Sequence, residues 1–359
     1  MGRRILYAVG ARPNFVKAAP LLEASRAHPG VETLLVHTGQ HYDDALSGAL
    51  FRDLELRAPD VNLEVGSGSH ARQTASVMCA FEPVVLGWRP DVVVVVGDVN
   101  STLACALVAA KAGVAVAHVE AGLRSFDRSM PEEINRVLVD HLADLLFTPG
   151  GDADDNLLRE GIAAERIHRV GNVMVDSLRR QLPRARERCR LDGPPLPGGA
   201  YAVATVHRPS NVDDPAQLGE IFAALAALAE EMPVVFPMHP RTRGSAERSG
   251  LLPGLGAVRV VEPLGYHAML ALMERARLVV TDSGGMQEET TMLGVPCVTL
   301  RSSTERPVTV REGTSILVPV RTRDNILRAA AEAPGRTGRV PDLWDGRAAE
   351  RILAVLARA

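Results

Sequence analysis

The sequence predicts an α/β protein of two domains, each built on a parallel β-sheet. The chain has 359 residues, more than the roughly 100 to 200 residues usual for one domain. Both halves alternate short β-branched or aliphatic runs with stretches of helical spacing, the pattern of a parallel sheet covered by helices. Between residues 177 and 200, RRQLPRARERCR leads into DGPPLPGG, whose prolines and glycines sustain neither a helix nor a central strand. This stretch is where we expect the interdomain region.

The first predicted domain covers residues 1–175 and carries the candidate catalytic carboxylates. One of its apolar runs, VVVVV at residues 92–96, has no polar alternation, as expected for a central strand covered on both faces. The predicted strands, which should neighbour one another, are residues 5–9, 32–38, 91–96, 114–119 and 145–148.

The second predicted domain covers residues 176–343 and repeats the class of the first. Its predicted strands are residues 201–206, 234–238, 258–261, 278–281 and 296–300. Residues 344–359 form an amphipathic helix that we expect to pack back across the junction toward the first domain. Two such domains predict a cleft, with the ligand beyond the carboxyl ends of the strands. The residues that directly follow strands are therefore the candidates for chemistry.

Composition and motifs exclude several function classes. A formal net charge of −3 provides no broad basic field for nucleic acid. The four cysteines form no CxxC pair, which argues against a zinc site or a disulfide framework. No apolar run is long enough for a secretory signal or a membrane span, so we expect a cytoplasmic protein without a membrane partner. Neither GxxxxGK[ST] nor a GxGxxG after a strand occurs, which argues against a P-loop ATPase and a dinucleotide enzyme.

The strand ends of the first domain carry an arginine and two acids. Arg12 in GARPNF is a forked donor suited to phosphate, although capping a neighbouring carbonyl explains it equally well. Asp98 in GDVNST follows five valines, and taken alone it is better explained as a helix cap. Glu120 in HVEAGLRS directly follows the next apolar strand. Two strand-end carboxylates in adjacent units point to a catalytic role more strongly than either does alone.

A third acid opens the helix that starts at PEEINR. Pro131 suits the first helical position, and Glu132 and Glu133 complement the helix dipole, which is the usual role of acids there. Near Asp98 and Glu120, however, a third acid supplies what proton transfer at carbon requires: a base, an acid and a group that tunes them.

The second domain offers donors for phosphate. His207 and Arg208 follow a strand and form a donor pair suited to phosphate. His239 follows another strand in FPMHPRTR, although a lone histidine is more often a structural residue.

The stretch TDSGGMQEE combines a small-residue turn with two acids. Ser283, Gly284 and Gly285 can present backbone N–H groups at a helix N-terminus, where an anion binds. Glu288 or Glu289, one turn later, is placed to accept the hydroxyls of a ribose. Gly-Gly after a strand is common in loops, so this signal is weak by itself, but with the other motifs it predicts a nucleotide-sugar site.

These motifs together resemble a known family. GARPNFVKAAPLL, TGQHYD, VVVVGDVNST, HVEAGLRS, MPEEINR, VGNVMVD, TVHRPSN and TDSGGMQEETTMLGVPCVTLRSSTERPVTVREGT follow the order and spacing of the bacterial non-hydrolysing UDP-N-acetylglucosamine 2-epimerases, from about residue 5 to 320. The resemblance implies a glycosyltransferase-B-like fold of two Rossmann-like domains that face a cleft. It also implies a homodimer and a reaction on a UDP-sugar with no metal or other cofactor.

The resemblance also implies roles for individual residues. Asp98, Glu120 and Glu132 match the catalytic carboxylates, and His207 matches the histidine near the diphosphate. The residues predicted to bind the UDP-sugar are Arg12, Lys17, Gln40, Arg136, Arg208, His239, Ser283, Gly284, Gly285, Glu289 and Arg306. Arg301, Thr304 and Glu305 fall in motifs of the same region.

In the family, the configuration at C2 of the N-acetylhexosamine is inverted in two steps. UDP is first eliminated to give 2-acetamidoglucal, and UDP is then added back together with a proton on the other face of C2. Three alternatives remain open: a 2-epimerase for another UDP-2-acetamido sugar, a hydrolysing relative that releases UDP and N-acetylmannosamine, and a glycosyltransferase on the same fold.

The sequence departs from the family at the pocket where a second substrate molecule activates the enzyme. Tyr42-Asp43 and Pro209-Ser210 replace polar groups of that pocket. We therefore expect weak or absent substrate cooperativity.

Overall fold

The computed structural model describes residues 2–40, 53–192 and 198–358. The chain forms two compact units: unit 1 is Met1–Arg180 with Asp342–Ala359, and unit 2 is Gln181–Pro341. The predicted domain limits at residues 175 and 343 stay a prediction.

Unit 1 is a parallel sheet of seven strands with helices between them. Its elements in chain order are β1 (Arg3–Val9), α1 (Arg12–Ala27), β2 (Val31–His37), β3 (Val61–Asn62), α2 (His70–Trp88), β4 (Val92–Val96), α3 (Asn100–Lys111), β5 (Ala115–Val119), α4 (Pro131–Leu142), β6 (Leu145–Thr148), α5 (Gly151–Arg159), β7 (Ile167–Arg169) and α6 (Val173–Asp192), which continues into unit 2. The strand order is β3-β2-β1-β4-β5-β6-β7. All five predicted strands are confirmed, whereas β3 and β7 were missed because each edge strand has only two or three residues.

The five valines of β4 lie in the middle of this sheet. They pair with β1 on one side and β5 on the other, and each is at most 1% exposed. Branched side chains suit a pleated surface covered on both faces, which accounts for the absence of polar alternation.

Unit 2 is a second parallel sheet, of six strands. Its elements in chain order are β8 (Ala202–Thr205), α7 (Pro209–Val212), α8 (Pro215–Glu231), β9 (Val234–Pro237), α9 (Pro240–Arg248), β10 (Arg259–Val261), α10 (Tyr266–Glu274), β11 (Leu278–Thr281), α11 (Gly284–Leu293), β12 (Cys297–Thr299), α12 (Pro307–Arg311), β13 (Ser315–Leu317) and α13 (Arg323–Glu332). The strand order is β10-β9-β8-β11-β12-β13. The five predicted strands are confirmed, and the three-residue edge strand β13 was missed.

The last helix, α14 (Ala348–Leu356), belongs to unit 1 and packs against α1. Its first backbone N–H groups, those of Ala348 and Ala349, donate to the carboxylate of Asp176 at 3.3 and 2.8 Å. Just before it, Nε1 of the buried Trp344 donates to the carbonyl oxygen of Pro149 at 3.1 Å. Hydrogen bonds and apolar burial together hold the C-terminal segment on unit 1.

The four cysteines are free thiols. Within the described ranges, no helix is both long and apolar enough to cross a lipid bilayer. In the same part of the chain, His, Cys, Asp and Glu side chains form no group of three or more that is suited to a metal ion.

Candidate active site

The first part of the candidate site lies at the carboxyl ends of β4 and β5. These strands pair in parallel up to Val96 and Val119, so Asp98 and Glu120 leave the sheet at the same edge. Glu120 has a φ of +73°, and this left-handed conformation of a non-glycine residue costs of order 1–3 kcal/mol. Such strain persists only where surrounding contacts enforce it, and it is commonest at functional sites.

Glu120 forms a buried ion pair with Lys17 of α1. The Oε2 atom of Glu120 contacts Nζ of Lys17, and the two side chains are 5% and 8% exposed. Gly97 lies beside the pair, and its φ of +70° is a left-handed conformation that favours glycine. Asn14 fixes the start of α1 to this edge, because its Nδ2 donates to the carbonyl oxygen of Val96 at 2.9 Å. The predicted residues Lys17 and Glu120 are therefore neighbours.

Asp98 is held by Arg136 of α4. One guanidinium nitrogen of Arg136 contacts Oδ2 of Asp98, and another lies 2.5 Å from Oε2 of Glu133. Asp98 is not the N-cap of α3 as expected, because that position is occupied by Val99. Glu133 also accepts the backbone N–H of Ser125 at 2.9 Å, so it anchors the loop after β5 to α4. The two acids of PEEINR, Glu132 and Glu133, therefore have different roles, and the buried Glu133 is structural.

Glu132 is exposed and lines a polar cavity of about 310 Å³ in unit 1. Gln40 also lines it, and Oε1 of Gln40 accepts from the backbone N–H of Ser101 at 3.0 Å and from its hydroxyl at 2.7 Å. The remaining lining residues are Ser67, Gly68, His70, Gln73, Val99, Asn100, Pro131 and Asn135. Glu132 and Gln40 therefore share one cavity, where Gln40 is already engaged by α3.

A buried network that the motifs did not reveal supports both strand ends. The ring of His118 bridges them: Nδ1 lies 2.6 Å from Oδ1 of Asp140, and Nε2–H donates to the carbonyl oxygen of Gly97 at 2.8 Å. Oδ2 of Asp140 accepts from the backbone N–H of Gly122 at 3.0 Å and from Arg124 at 2.7 Å. Burial acts to raise the pKa of Asp140, but His118 and Arg124 outweigh it and hold the pKa below its ordinary value. In the sequence, the only indication of this network was His118, a polar residue within the apolar strand AVAHV.

In unit 2, the buried carboxylate of Asp282 organises the segment after β8. It accepts the backbone N–H of His207 at 2.9 Å, that of Arg208 at 2.8 Å and Nδ2 of Asn211 at 3.0 Å. Nδ1 of His207 lies 2.9 Å from its Oδ1. Burial opposes ionisation of Asp282, but the bonds from His207, Arg208 and Asn211 hold its pKa below the ordinary value. Sequence reasoning gave Asp282 no role, although an acid directly after a buried strand was a signal.

The small-residue turn lies at the N-terminus of α11, as predicted. Ser283 is the N-cap, with no side-chain cap bond, and Gly284 and Gly285 form the first turn. A Cβ on Gly284 would lie 2.7 Å from Nη1 of Arg306, so the guanidinium packs directly on the glycine. The turn therefore combines the partial positive charge of a helix N-terminus with a guanidinium group.

Three arginines and two glutamates surround this turn, and we refer to them as the arginine cluster: Arg208, Arg301, Arg306, Glu288 and Glu305. Nε of Arg306 lies 2.9 Å from Glu288, and Arg301 lies 2.6 Å from Glu305. Burial lowers the pKa of Arg301; Glu305 opposes this, and the charges of Arg208 and Arg306 add to it. With one more cation than anion, the cluster suits an anionic ligand.

Three further predicted residues have other positions. Glu289 lies in α11 and is 5% exposed. His239 is exposed and is the N-cap of α9, where its Nδ1 accepts the backbone N–H of Arg241 at 3.1 Å; its ring centroid lies 5.8 Å from that of His207. The side chain of Arg12 and residues 41–46 lie outside the described part of the chain. The ligand contacts of all three residues stay predictions.

Comparisons with known proteins agree with these motifs. The sequence model of the family described as UDP-N-acetylglucosamine 2-epimerase matches residues 23–357. A Methanococcus maripaludis protein named UDP-N-acetylglucosamine 2-epimerase homolog is 45% identical over 320 residues, 88% of each chain. A Pseudomonas aeruginosa protein named UDP-2,3-diacetamido-2,3-dideoxy-D-glucuronate 2-epimerase is 42% identical over 365 residues, 99% of each chain.

A solved structure gives the same answer for the fold. Methanocaldococcus jannaschii UDP-GlcNAc 2-epimerase, in complex with UDP-GlcNAc and UDP, is similar with a TM-score of 0.91 at 38% identity, covering 99% of this chain and 100% of that one. This likeness confirms the predicted class of two Rossmann-like domains of the glycosyltransferase-B-like kind. Both the match of the family model across most of the sequence and the similarity of full-length relatives lead to one conclusion: the chain belongs to the UDP-N-acetylglucosamine 2-epimerase family.

Proposed function

We propose that the protein is an isomerase that interconverts UDP-N-acetylglucosamine and UDP-N-acetylmannosamine. Its family supports this, as does its 38% identity to an enzyme whose solved structure contains UDP-GlcNAc and UDP. The observation that carries the proposal is the pair of carboxylates, Asp98 and Glu120, at the ends of adjacent strands, each in contact with a buried cation. Two such carboxylates can act as the base and the acid that proton transfer at a carbon atom requires.

The reaction is an elimination followed by an addition. A carboxylate base removes the proton at C2, the C–H electron pair forms a C1=C2 double bond, and the bond between C1 and the diphosphate oxygen breaks. UDP leaves with that electron pair, and the sugar becomes 2-acetamidoglucal. Addition of UDP at C1 and of a proton to the other face of C2 gives the epimer. Atoms and electrons balance without any oxidant or reductant.

Unit 1 supplies the proton-transfer groups in this proposal. Asp98, Glu120 and Glu132 act as base and acid, because general acid–base catalysis needs groups of both kinds near one carbon. Arg136 and Lys17 hold two of these carboxylates in place, as their ion pairs indicate. Since the bound geometry decides how well a proton is transferred, these ion pairs contribute to catalysis by fixing the carboxylates.

Unit 2 binds UDP in this proposal. The backbone N–H groups of the turn at Ser283, the dipole of α11 and the arginine cluster all favour the diphosphate. Glu289, one turn further, accepts the ribose hydroxyls. His207 assists the diphosphate as it departs. The same groups stabilise the negative charge that develops on the leaving oxygen, which is why they serve catalysis as well as binding.

Proton NMR in deuterated water tests the proposal. The protein is incubated with UDP-N-acetylglucosamine and no acceptor. We expect the H2 signal to disappear while signals of UDP-N-acetylmannosamine grow. Free UDP and N-acetylmannosamine as the main products would instead identify a hydrolysing enzyme. An unchanged sugar spectrum would refute this substrate. In a second sample that contains an acceptor, transfer of the sugar to that acceptor would identify a glycosyltransferase.

A second candidate substrate is a more highly modified UDP-2-acetamido sugar. The supporting observation is that the relative named for UDP-2,3-diacetamido-2,3-dideoxy-D-glucuronate is 42% identical over 99% of each chain, within the range of relatives named for UDP-N-acetylglucosamine. The same NMR experiment with each sugar, compared by kcat/KM, decides between them. A preference of about tenfold, worth about 1.4 kcal/mol of transition-state binding, is sufficient for the assignment.

We also propose that the enzyme works in the cytoplasm as a homodimer, as the family resemblance implies. UDP-sugars are made by intracellular metabolism, which suits that location. Sedimentation equilibrium tests the oligomeric state, and a mass equal to the 38.4 kDa of one chain at micromolar concentration would contradict the dimer.

A further inference from the structure

We propose that Asp282 is a positioning residue that fixes His207 with a proton on Nδ1 and turns Nε2 toward the diphosphate of the substrate. The inference rests on the proposed function, because it assigns Asp282 a task in the departure and return of UDP. In this proposal Asp282 does not contact the reacting atoms itself but acts through His207.

The geometry defines the position of the imidazole on two sides. Nδ1 of His207 lies 2.9 Å from Oδ1 of Asp282, and the backbone N–H of His207 donates to Oδ2 at 2.9 Å. One carboxylate therefore binds both the main chain and the ring of the same residue. Rotation of the ring away from Asp282 would break the first bond while the second kept the backbone fixed. The ring is 41% exposed, so its opposite edge can meet a ligand.

The chemistry of the two groups determines where the proton lies. Asp282 is fully buried and its pKa is held below the ordinary value, so at neutral pH it is an ionised group that can only accept hydrogen bonds. Nδ1 of His207 must then carry a proton. In an imidazole held in this way, Nε2 is the nitrogen that remains for a ligand, and a diphosphate oxygen, which only accepts hydrogen bonds, would bind it as an N–H donor.

A proton on Nε2 has a defined use in the elimination. When the bond between C1 and oxygen breaks, negative charge grows on the diphosphate, and an Nε2–H donor stabilises it through a hydrogen bond. No net transfer of that proton is needed, so His207 is ready for the re-addition without a further step. The ring of His239 also lies beside that of His207, with 5.8 Å between the ring centroids, and the Arg208 guanidinium is nearby, where its Nε donates to the main-chain carbonyl oxygen of Asp282 at 2.9 Å.

The remaining bonds of Asp282 could mean that it only stabilises the fold. It accepts from Arg208 and Asn211, and Nδ2 of Asn211 also donates to the carbonyl oxygen of Leu300 at 3.0 Å. These contacts provide a matched control. Asn211→Ala removes a bond to the same carboxylate and disturbs the same loop, but it leaves the contact between Asp282 and the imidazole intact.

The test compares Asp282→Asn, Asn211→Ala and His207→Gln in the full-length protein. The amide of Asp282→Asn keeps an oxygen for the backbone N–H groups but has no charge. Nitrogen-15 NMR of histidine-labelled protein, with and without UDP, reports which ring nitrogens carry protons, and the His207 signals are those missing in His207→Gln. We expect protonated Nδ1 in the wild type and in Asn211→Ala, and its loss in Asp282→Asn.

Kinetics provide the second measurement. Asp282→Asn should lower kcat by at least about tenfold, and most of that loss should disappear in the His207→Gln background, since one residue acts through the other. Asn211→Ala should lower the melting temperature without such a loss of kcat. Independent effects of Asp282→Asn and His207→Gln, or an unchanged Nδ1 signal in Asp282→Asn, would overturn the inference. Failure of the proposed substrate would show separately, as absent epimerisation by the wild type.

Discussion

The ammonium group of Lys17 is paired with the carboxylate of Glu120 inside unit 1, and both side chains are less than a tenth exposed. Lys17 comes from α1 and Glu120 from the end of β5, so the pair joins a helix to the strand edge that carries the candidate chemistry. Removing one partner of such a pair leaves a buried charge without its counter-ion, which is more costly than removing both.

Lys17→Met should therefore destabilise the protein. We expect a loss of about 3–5 kcal/mol in the free energy of unfolding, because the carboxylate of Glu120 loses its buried cation. Lys111, the other lysine of the sequence, is exposed in the last turn of α3 and gives the matched control. Lys111→Met should change stability by no more than about 0.5 kcal/mol. Urea denaturation measures both, and equal losses would show that the buried pair contributes nothing special.

Glu120→Gln should impair turnover while leaving UDP binding intact. The amide keeps the size of the side chain and one oxygen that can face Lys17, but it cannot take a proton, so kcat should fall by on the order of a hundredfold or more. Isothermal titration calorimetry with UDP should give a nearly unchanged Kd, since UDP lacks the N-acetylhexosamine on which this carboxylate acts. Normal exchange of the H2 proton in deuterated water would disprove the assignment.

Glu289→Ala should mainly weaken UDP binding, in contrast to Glu120→Gln. If Glu289 accepts the ribose hydroxyls, its removal should weaken UDP binding by roughly 1–3 kcal/mol, the value of hydrogen bonds to a charged group. The same calorimetric titration measures this loss. An unchanged affinity for UDP would mean that the ribose is bound elsewhere.

The strand ends were predictable from the sequence because strands and charges follow simple local rules. An uninterrupted valine run predicts a central strand, and the first acid beyond it must lie at the sheet edge. That reasoning located Asp98 and Glu120 correctly. It failed for β3, β7 and β13, which have two or three residues each and are defined by pairing with a neighbour instead of by their own composition.

Partners far apart in sequence were the other limit. The spacing of PEEINR does not reveal that Glu133 accepts a hydrogen bond from the backbone of Ser125 while Glu132 remains exposed. This difference depends on where α4 packs. Asp282 was also missed as the anchor of His207, from which it is 75 residues distant. Such contacts are tertiary, and a single sequence has no period or motif that encodes them.

Gly284→Ala should weaken UDP binding by displacing Arg306. The added Cβ would lie 2.7 Å from Nη1 of Arg306, and this buried guanidinium cannot move without breaking its ion pairs with Glu288 and Glu305. We expect at least a tenfold rise in the Kd for UDP, about 1.4 kcal/mol. Gly254→Ala is the control, because nothing lies within 4 Å of its Cβ position. Similar affinities in both variants would contradict the close packing of Arg306 on the turn.

The contact between Asp176 and α14 should make stability depend on pH. Burial raises the pKa of Asp176 from 3.8 to about 6, and the N–H groups of Ala348 and Ala349 only partly oppose this. The raised pKa means that the folded state favours the protonated acid. Its contribution to stability is complete below pH 3.8, the ordinary value, and is lost as pH rises through 6. At about 1.4 kcal/mol per pKa unit, the loss is on the order of 2–3 kcal/mol.

Asp176→Asn isolates this effect, because an amide does not titrate. The free energy of unfolding of Asp176→Asn minus that of the wild type should rise by on the order of 2–3 kcal/mol between pH 4 and pH 7.5, as the wild type alone must ionise a buried acid. Chemical denaturation across this range measures the difference. A difference that stays constant with pH for Asp176→Asn would show that this carboxylate titrates normally where it holds the last helix.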